Sequence, residues 1–298
     1  MVKKIVLFLL TVAMMSAMLV SCDLSSLDLG IDIPELDDVE LETDALNDDA
    51  VLEMLNGNTP FQVYAQFEEQ LEAASSNCTV KTTSTMNTVM NILGQNIVAT
   101  TDVEMVVMSN GDNCYSKSTT KTNASGIVAE TAIETWYVDG ILYTESNGQK
   151  IKMAITKDQA LELVYGEKAE GEGSIANIPE SWFEGVSFEK KADGYVMKID
   201  MSGDRMEEAV ERLGIAPEAG LEFSDVKYKY TVDKNGKILS SEADFTMTME
   251  DSSSNSYSAS ADGKIVAEYL NFGTTEEIAA PADADAYIEV TYEQIFGK

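Results

Sequence analysis

The sequence predicts an α+β fold that is mainly antiparallel β, built as a long meander of about ten strands with a few helices that cover it. Three observations indicate this class. Apolar and polar residues alternate along several segments, dipeptides typical of tight turns separate those segments, and short amphipathic stretches with capping signals interrupt them. About 240 residues of such a pattern are enough for one domain.

The alternation has a period of two, so it places apolar side chains on one face of each strand and polar ones on the other. Charged or polar residues fill most of the intervening positions, which is typical of an antiparallel sheet with one solvated face. The apolar positions are Val103, Met105 and Val107; Tyr195, Met197, Ile199 and Met201; Val226, Tyr228, Tyr230 and Val232; and Ala243, Phe245, Met247 and Met249.

Turn chemistry agrees with a meander of hairpins. Asn-Gly and Asp-Gly adopt the positive φ angles of two-residue hairpin turns at little steric cost. Six such pairs separate strand-like runs and predict turns: Asn110-Gly111, Asp139-Gly140, Asn147-Gly148, Asp193-Gly194, Asn235-Gly236 and Asp262-Gly263.

Helix signals occur at the start of the pattern and between strands. Thr59-Pro60-Phe61-Gln62 combines a capping box with proline at the first helical position, and Phe61, Tyr64, Phe67 and Leu71 then share one helical face. A second capping box, Thr156-Lys157-Asp158-Gln159, predicts a helix that stops at Gly166. Two further helices are predicted from Gly203 to Gly214 and through Ile178, Trp182 and Phe183.

The N-terminus has the organisation of an export signal. Lys3 and Lys4 precede an uncharged run from Ile5 to Val20, and Leu19-Val20-Ser21-Cys22 resembles the lipobox of bacterial lipoproteins. The alternative, an uncleaved transmembrane anchor, requires about 20 apolar residues, more than this run contains. We therefore expect a signal peptide over residues 1–21 and acylation of Cys22.

The next segment predicts where the protein works. Residues 22–50 are rich in acids and contain no Lys or Arg, which is typical of a self-repelling tether between the lipidated cysteine and a domain over 51–298. We expect the mature protein to be lipid-anchored in the cell membrane on its extracytoplasmic face, with the membrane as a partner.

Charge and composition exclude several function classes. The 52 acidic residues outnumber the 20 basic ones and give a net charge of −32, which repels nucleic acid. The chain has no histidine, so Ser-His, Cys-His and histidine–metal sites are excluded. We expect no enzymatic activity, no cofactor and no metal site, and we expect a monomer.

Cys78 and Cys114 are the only cysteines after Cys22. In an extracytoplasmic compartment they could form a disulfide. Both lie near the starts of predicted strands, and one intervening strand would put their Cα atoms roughly 9–10 Å apart, beyond the ~7 Å limit for a bridge. Both outcomes stay open from the sequence.

The combination of a lipobox, an acidic tether and a large antiparallel sheet with helices between hairpins resembles the LolA-like and LppX/LprAFG-like lipoproteins. Residues 135–143 and 148–153 are similar to paired strands of that family around an Asn-Gly turn, and residues 269–281 to its closing strand. The likeness covers roughly residues 59–290. It implies a curved half-barrel with helices on its concave face and a hydrophobic cavity for lipid acyl chains between them.

Methionine-rich strand faces suit such a cavity because methionine is flexible and polarizable. The candidate lining is Met105, Met197, Met201, Tyr228, Tyr230, Phe245, Met247 and Met249. The leading hypothesis is a membrane-anchored protein that binds a lipid or other hydrophobic small molecule. The alternative is a cell-surface structural or protein-interaction module in which the same faces form a closed core.

Overall fold

The structure is a computed structural model. It describes residues 55–75, 77–92, 95–111, 113–156, 159, 183–203, 221–250 and 257–296. The predicted signal peptide over 1–21, Cys22 and the tether over 22–50 lie outside these residues. The predicted helices through Leu161 and from Gly203 to Gly214 lie almost entirely outside them as well.

Helix α1 spans Pro60–Ser75 and leads directly into the sheet. Its predicted capping box is formed: the Thr59 N–H donates to Gln62 Oε1 at 2.9 Å, and the Gln62 N–H donates to Thr59 Oγ1 at 3.2 Å. These bonds satisfy two N–H groups that have no partner within the helix. The second predicted capping box is also formed, between Thr156 and Gln159.

Twelve strands form one sheet. They are β1 (Asn77–Ile92), β2 (Gln95–Asn110), β3 (Asn113–Ala124), β4 (Ile127–Val138), β5 (Ile141–Ser146), β6 (Gln149–Ala154), β7 (Phe183–Lys191), β8 (Gly194–Met201), β9 (Leu221–Asp233), β10 (Ile238–Glu250), β11 (Tyr257–Leu270) and β12 (Ile288–Glu289). A short helix, α2 (Tyr292–Phe296), ends the described chain.

The sheet is open and curved, with the strand order β12-β6-β5-β4-β3-β2-β1-β11-β10-β9-β8-β7. All pairings are antiparallel except that of β12 with β6. The mainly antiparallel class is confirmed, but the strand count is twelve rather than about ten. Strand β12 is only two residues long, too short for an alternating pattern, and Phe183, which the sequence places in a helix, begins β7.

Most predicted hairpin turns are formed. Asp139-Gly140 and Asn147-Gly148 have positive φ at both residues, and Gly111 and Gly236 have positive φ in the turns that contain them. Gly194 begins β8 and pairs with Lys191, so the turn there is Ala192-Asp193, one residue earlier than predicted. The prediction of a turn at Asp262-Gly263 is wrong, because both residues lie inside β11. A Cβ at Gly263 would meet three carbons of the Phe245 ring within 2.7 Å, so the glycine serves close packing between strands.

The register divides the sheet into two faces. We call the inner face the one that carries Val80, Met86, Phe245 and Met197, all of which are buried. Helix α1 packs on this face. It is the one long helix in the described residues that covers the sheet there; α2 meets this face only through Tyr292, which packs with Met153 and Ile155 at the edge, whereas the resemblance implied several helices on the concave face.

The C-terminal strap, residues 271–296, crosses the opposite, outer face from β1 to the edge strand. Asn110 Nδ2 donates to the carbonyls of Thr275 and Glu276 at 3.0 Å, and the Lys150 ammonium lies 2.6 Å from the Asp283 carboxylate. The Tyr287 ring packs edge-on against Trp136 and Tyr143. The strap then adds β12 to β6, so it covers an edge that would otherwise have unpaired backbone groups.

Candidate functional site

The inner face is built from alternate residues of neighbouring strands; apolar residues predominate on it in β8 to β11 and in β2, whereas β3 contributes Ser116, Ser118, Thr120 and Thr122. Directly paired residues in an antiparallel sheet point to the same side, so the register identifies its members. In β1, β2, β8, β10 and β11 no charged residue occurs at an inner-face position. These strands therefore present a surface suited to apolar contacts, and its titratable groups are tyrosine hydroxyls and the Cys78 thiol rather than carboxylates or ammonium groups.

Aromatic residues of helix α1 cover one part of this face, over β7 to β9. The Tyr64 ring meets Phe183 edge-on, with ring centroids 5.4 Å apart, and the Phe67 ring lies 5.4 Å from that of Tyr230. Phe67 also packs 6.4 Å from Tyr195, and burial raises the pKa of the Tyr195 hydroxyl above its ordinary value. This half of the face is a packed helix–sheet core.

The Gln70 side chain holds helix α1 in position on the sheet through two hydrogen bonds. Its side-chain amide donates to the carbonyl of Gly236 at 2.8 Å, and its carbonyl accepts from the Ile238 N–H at 3.3 Å. Gly236 lies in the connection between β9 and β10, and Ile238 begins β10. The helix therefore runs from the end of the sheet near Phe183, where Phe61 packs with a ring separation of 5.9 Å, to the opposite end at Gly236.

The inner face becomes more exposed from β1 to β4. On β1, Val80 and Met86 are fully buried, but the neighbouring strand β2 carries Val103, Met105 and Val107 half-buried. We call these three residues the β2 strip. Met105 and Val107 still pack against the buried core, so the strip joins the closed part of the face to the open part.

A buried hydroxyl lies beside the β2 strip. Thr82 is paired with Met105 of β2 on one side and with Ala267 of β11 on the other. Its side chain is 2% exposed, and its Oγ1 has no hydrogen-bond partner in the described part of the chain. A buried hydroxyl without a partner costs free energy, because it has lost its hydrogen bonds to water without replacing them.

Small and large residues alternate near this hydroxyl on β1 and β11. Ser84 and Thr88 follow Thr82 on the inner face of β1, with Met86 between them. Ala261, Gly263 and Ala267 share that face on β11 with Ile265. All of these residues are buried, so this part of the face is packed.

The register places all eight residues of the predicted lining on the inner face. Met197, Met201, Tyr228, Tyr230, Phe245 and Met247 are buried, whereas Met105 is half-buried. Met249 occupies an inner-face register position opposite Ala259. Tyr230 contacts α1 directly, so it belongs to the packed core. Sequence analysis did not single out Val103, Val107 and Thr82 for the site, although the alternation Val103-Met105-Val107 was visible.

Cys78 and Cys114 are thiols in the structure and do not form the disulfide that the sequence left open. Both are paired with Ser109, so strand β2 lies between them. Two strand spacings put their Cα atoms roughly 10 Å apart, which is too far for a bridge. The Cys78 thiol donates instead to the Leu270 carbonyl at 3.4 Å.

Polar clusters occur on the outer face. The Tyr115 hydroxyl donates to the Glu134 carboxylate at 2.6 Å, and burial together with this carboxylate raises the pKa of Tyr115 far above its ordinary value. Over the described residues no group of three or more Cys, Asp or Glu side chains is arranged to hold a metal ion. No helix among those residues has the length and apolar character needed to span a bilayer.

Comparison with solved structures finds distant likenesses. LprF from Mycobacterium bovis is 12% identical, with 74% of this chain and 96% of that one covered at a TM-score of 0.35. Lipovitellin, described for its lipid–protein interactions, is 9% identical over 68% of this chain and 26% of its own, with a TM-score of 0.31. A β-barrel-like DUF1849 protein from Brucella abortus is 12% identical over 64% and 98%, with a TM-score of 0.22.

No curated protein matches the chain. A protein family does match, over residues 61–287, which include helix α1, the first eleven strands of the sheet and most of the strap. The match extends over well more than half of the chain. The chain therefore belongs to the family of unknown function DUF6612.

Proposed function

We propose that this chain is a membrane-anchored, extracytoplasmic lipoprotein that binds a hydrophobic ligand, a lipid or another amphiphile, on the inner face of its sheet. The observation that carries the proposal is the β2 strip. Val103, Met105 and Val107 are apolar and partly exposed, and they continue a surface that is buried on β1. This surface is uncharged, apolar and partly exposed beside a closed core. Its contact with an acyl chain is more favourable than its contact with water.

The free energy available there is sufficient for binding. Complete burial of an apolar side chain contributes about 1.5–3 kcal/mol, so covering the exposed remainder of these three mostly buried side chains contributes roughly 1–2 kcal/mol. Each CH₂ of an acyl chain that leaves water adds about 0.8 kcal/mol. An acyl chain of ordinary length therefore contributes most of the favourable binding free energy. The β2 strip contributes a complementary apolar surface.

The neighbouring side chains favour an amphiphile over a pure hydrocarbon. The Thr82 hydroxyl lies next to Met105 without a partner among the described residues, so an ester or hydroxyl group of the ligand can hydrogen-bond with it. Met105, Met197, Met201 and Met247 share the inner face, and methionine side chains adapt to irregular chains.

Anchoring through Cys22 would place this surface close to its ligand. The lipobox-like sequence supports cleavage before Cys22 and acylation of its thiol, and two or three acyl chains hold a protein on a bilayer almost permanently. Residues 22–50 then act as a tether for the domain. The protein would work at the membrane surface, where lipids and other amphiphiles concentrate.

Two valines on adjacent positions of β2 provide a matched test. Val107 points to the inner face, opposite Val80, and Val106 points to the outer face, opposite Lys81. Both are half-buried. We expect residues 23–298, freed of lipid, to take up a fluorescent fatty-acid probe, Val107→Gln to weaken that uptake at least tenfold, and Val106→Gln to leave it within twofold. Equal effects of the two substitutions, or no uptake by the parent chain, would refute the site.

The alternative function, a cell-surface interaction module with a closed core, is favoured by the complete burial of Met197 and Met247 under the helix side of the face. The two functions differ in what co-purifies with the protein. Native mass spectrometry combined with lipid extraction should find a bound lipid of defined mass if the proposed function holds. A ligand-free mass that persists after incubation with membrane lipids would favour the closed module.

A further inference from the structure

At one end of the sheet, the part formed by β1 to β4 and β11 has no charge in a chain that is otherwise strongly acidic, whereas β7 and β9 carry the exposed Glu184 and Glu222 at the same end. Asp, Glu, Lys and Arg make up 24% of the residues, yet none occurs from Thr82 to Thr101 or from Thr122 to Ala129. These stretches form the second half of β1, the first half of β2 and the meeting ends of β3 and β4. The start of β11, from Tyr257 to Ala261, pairs with the same part of β1 and is also uncharged.

Large apolar side chains are exposed at this end. Ile127 is 76% exposed, Val98 57% and Val128 55%, and Val89 is exposed as well. We call these four residues the apolar tip. They are neighbours, because Val89 is paired directly with Val98, and the Ser125 N–H in the turn before Ile127 donates to the Val98 carbonyl at 3.2 Å. Ile127 and Val128 point to opposite faces, so the hairpin end is apolar on both sides.

The chain enters the domain at the same end. Pairing connects Met247, Ala261, Thr88, Ala99, Ala124 and Ile127 in one row across the sheet. The first turn of α1 lies at this end, because Phe61 packs against Phe183 at the start of β7, while Gln70 reaches the opposite end at Gly236. The 54 residues before Leu55, which include Cys22, therefore join the domain at the same end of the sheet as the apolar tip, over β7.

We propose that the apolar tip docks on the surface of the lipid bilayer that holds the anchor. The occupant is a neutral or zwitterionic lipid surface, because the net charge of −32 opposes approach to anionic headgroups. The uncharged part of this end can enter the headgroup region without desolvating a charged side chain. Other parts of the surface carry charged side chains, and desolvating those would cost free energy. This proposal rests on the anchoring part of the proposed function and is independent of the ligand site.

The test uses the full chain with its lipid anchor, reconstituted into phosphatidylcholine vesicles that contain a photoactivatable phosphatidylcholine. Crosslinked peptides are then mapped by mass spectrometry. Ile127→Asn removes the most exposed side chain of the tip, and Ile288→Asn is the matched control. Ile288 is 67% exposed on the edge strand β12, beside Glu289 and paired with Ile151.

We expect lipid crosslinks to concentrate in the peptides that contain Val98 and Ile127. Ile127→Asn should lower them at least fivefold, and Ile288→Asn should leave them unchanged. Crosslinks spread evenly over the domain, equal effects of the two variants, or crosslinking of the hairpin to a second copy of the chain would overturn the docking.

Vesicle flotation separates the possible failures. A chain that floats with vesicles but lacks crosslinks at the tip refutes docking while leaving the anchor in place. A chain that does not float overturns both the anchor and the docking. Uptake of the fatty-acid probe, measured separately, reports on the ligand site and does not depend on either result.

Discussion

Replacing Gly263 with alanine tests how the middle of the sheet is packed. A Cβ at this position would lie within 2.7 Å of three carbons of the Phe245 ring, which is buried and directly paired with Gly263 across β10 and β11. Carbon atoms in contact prefer about 3.5–4.0 Å. The ring must therefore shift from its place on the glycine, and overpacking of this kind costs about 1–3 kcal/mol.

The expected loss is about 2 kcal/mol of unfolding free energy, measured by urea denaturation followed by circular dichroism. Gly185→Ala is the control, because a Cβ there would come no closer than 3.4 Å to Asp200. We expect it to be neutral or to stabilise the fold by up to about 1 kcal/mol, since alanine restricts the unfolded chain.

A double-mutant cycle identifies the cause. Phe245→Leu makes room above residue 263, so Gly263→Ala should cost at least 1 kcal/mol less in that background than in the parent chain. If Gly263→Ala unfolds at the same urea concentration as the parent, or if the two substitutions are additive, the ring does not pack on the glycine as argued.

Two further predictions concern polar groups. The backbone N–H groups of Lys237 and Asn235 donate to the Asp233 carboxylate and hold its pKa below its ordinary value of 3.8. Because the folded-state pKa is the lower one, this stabilisation is present above about pH 4 and is lost as the pH falls through the folded-state pKa. The difference in Tm between the parent and Asp233→Asn should thus be constant from about pH 5 to 7 and shrink below about pH 4, and a difference that grows in acid would contradict it. Thr82→Val removes the unpartnered buried hydroxyl, so we expect unfolding free energy to rise by about 1 kcal/mol while affinity for an ester-bearing amphiphile falls several-fold. Thr83→Val, on the exposed face of the same strand, should leave that affinity unchanged, and equal affinities for all three chains would remove Thr82 from the site.

Short-range signals predicted the local structure well. The capping boxes at Thr59 and Thr156 depend on residues three positions apart, and both are formed. The turns at Asp139-Gly140 and Asn147-Gly148 require positive φ, which Asn, Asp and Gly supply locally. In each case the contacts that determine the conformation are between residues only a few positions apart. The local sequence is therefore enough to predict the conformation.

Predictions from the local sequence were wrong or missing where the conformation depends on contacts with residues far away in the chain. Asp262-Gly263 has the composition of a turn, but the Phe245 ring of the neighbouring strand uses the glycine as a packing surface. The sequence of the strap shows no periodic pattern of apolar residues. Its turns and individual side chains are held instead by Asn110, Lys150 and Trp136 of other strands. Cys78 and Cys114 are separated by β2, which only the strand order establishes.

By itself, the sequence determined the mainly antiparallel class, the first helix, most hairpins and the apolar face of each strand, because alternation, capping and turn chemistry act over a few residues. The tertiary structure decided which strands are neighbours, where α1 closes the inner face and where the β2 strip leaves it half-open. It also brought the uncharged stretches of five strands together at one end of the sheet. These outcomes depend on contacts between residues far apart in the chain, and no local pattern records such pairings.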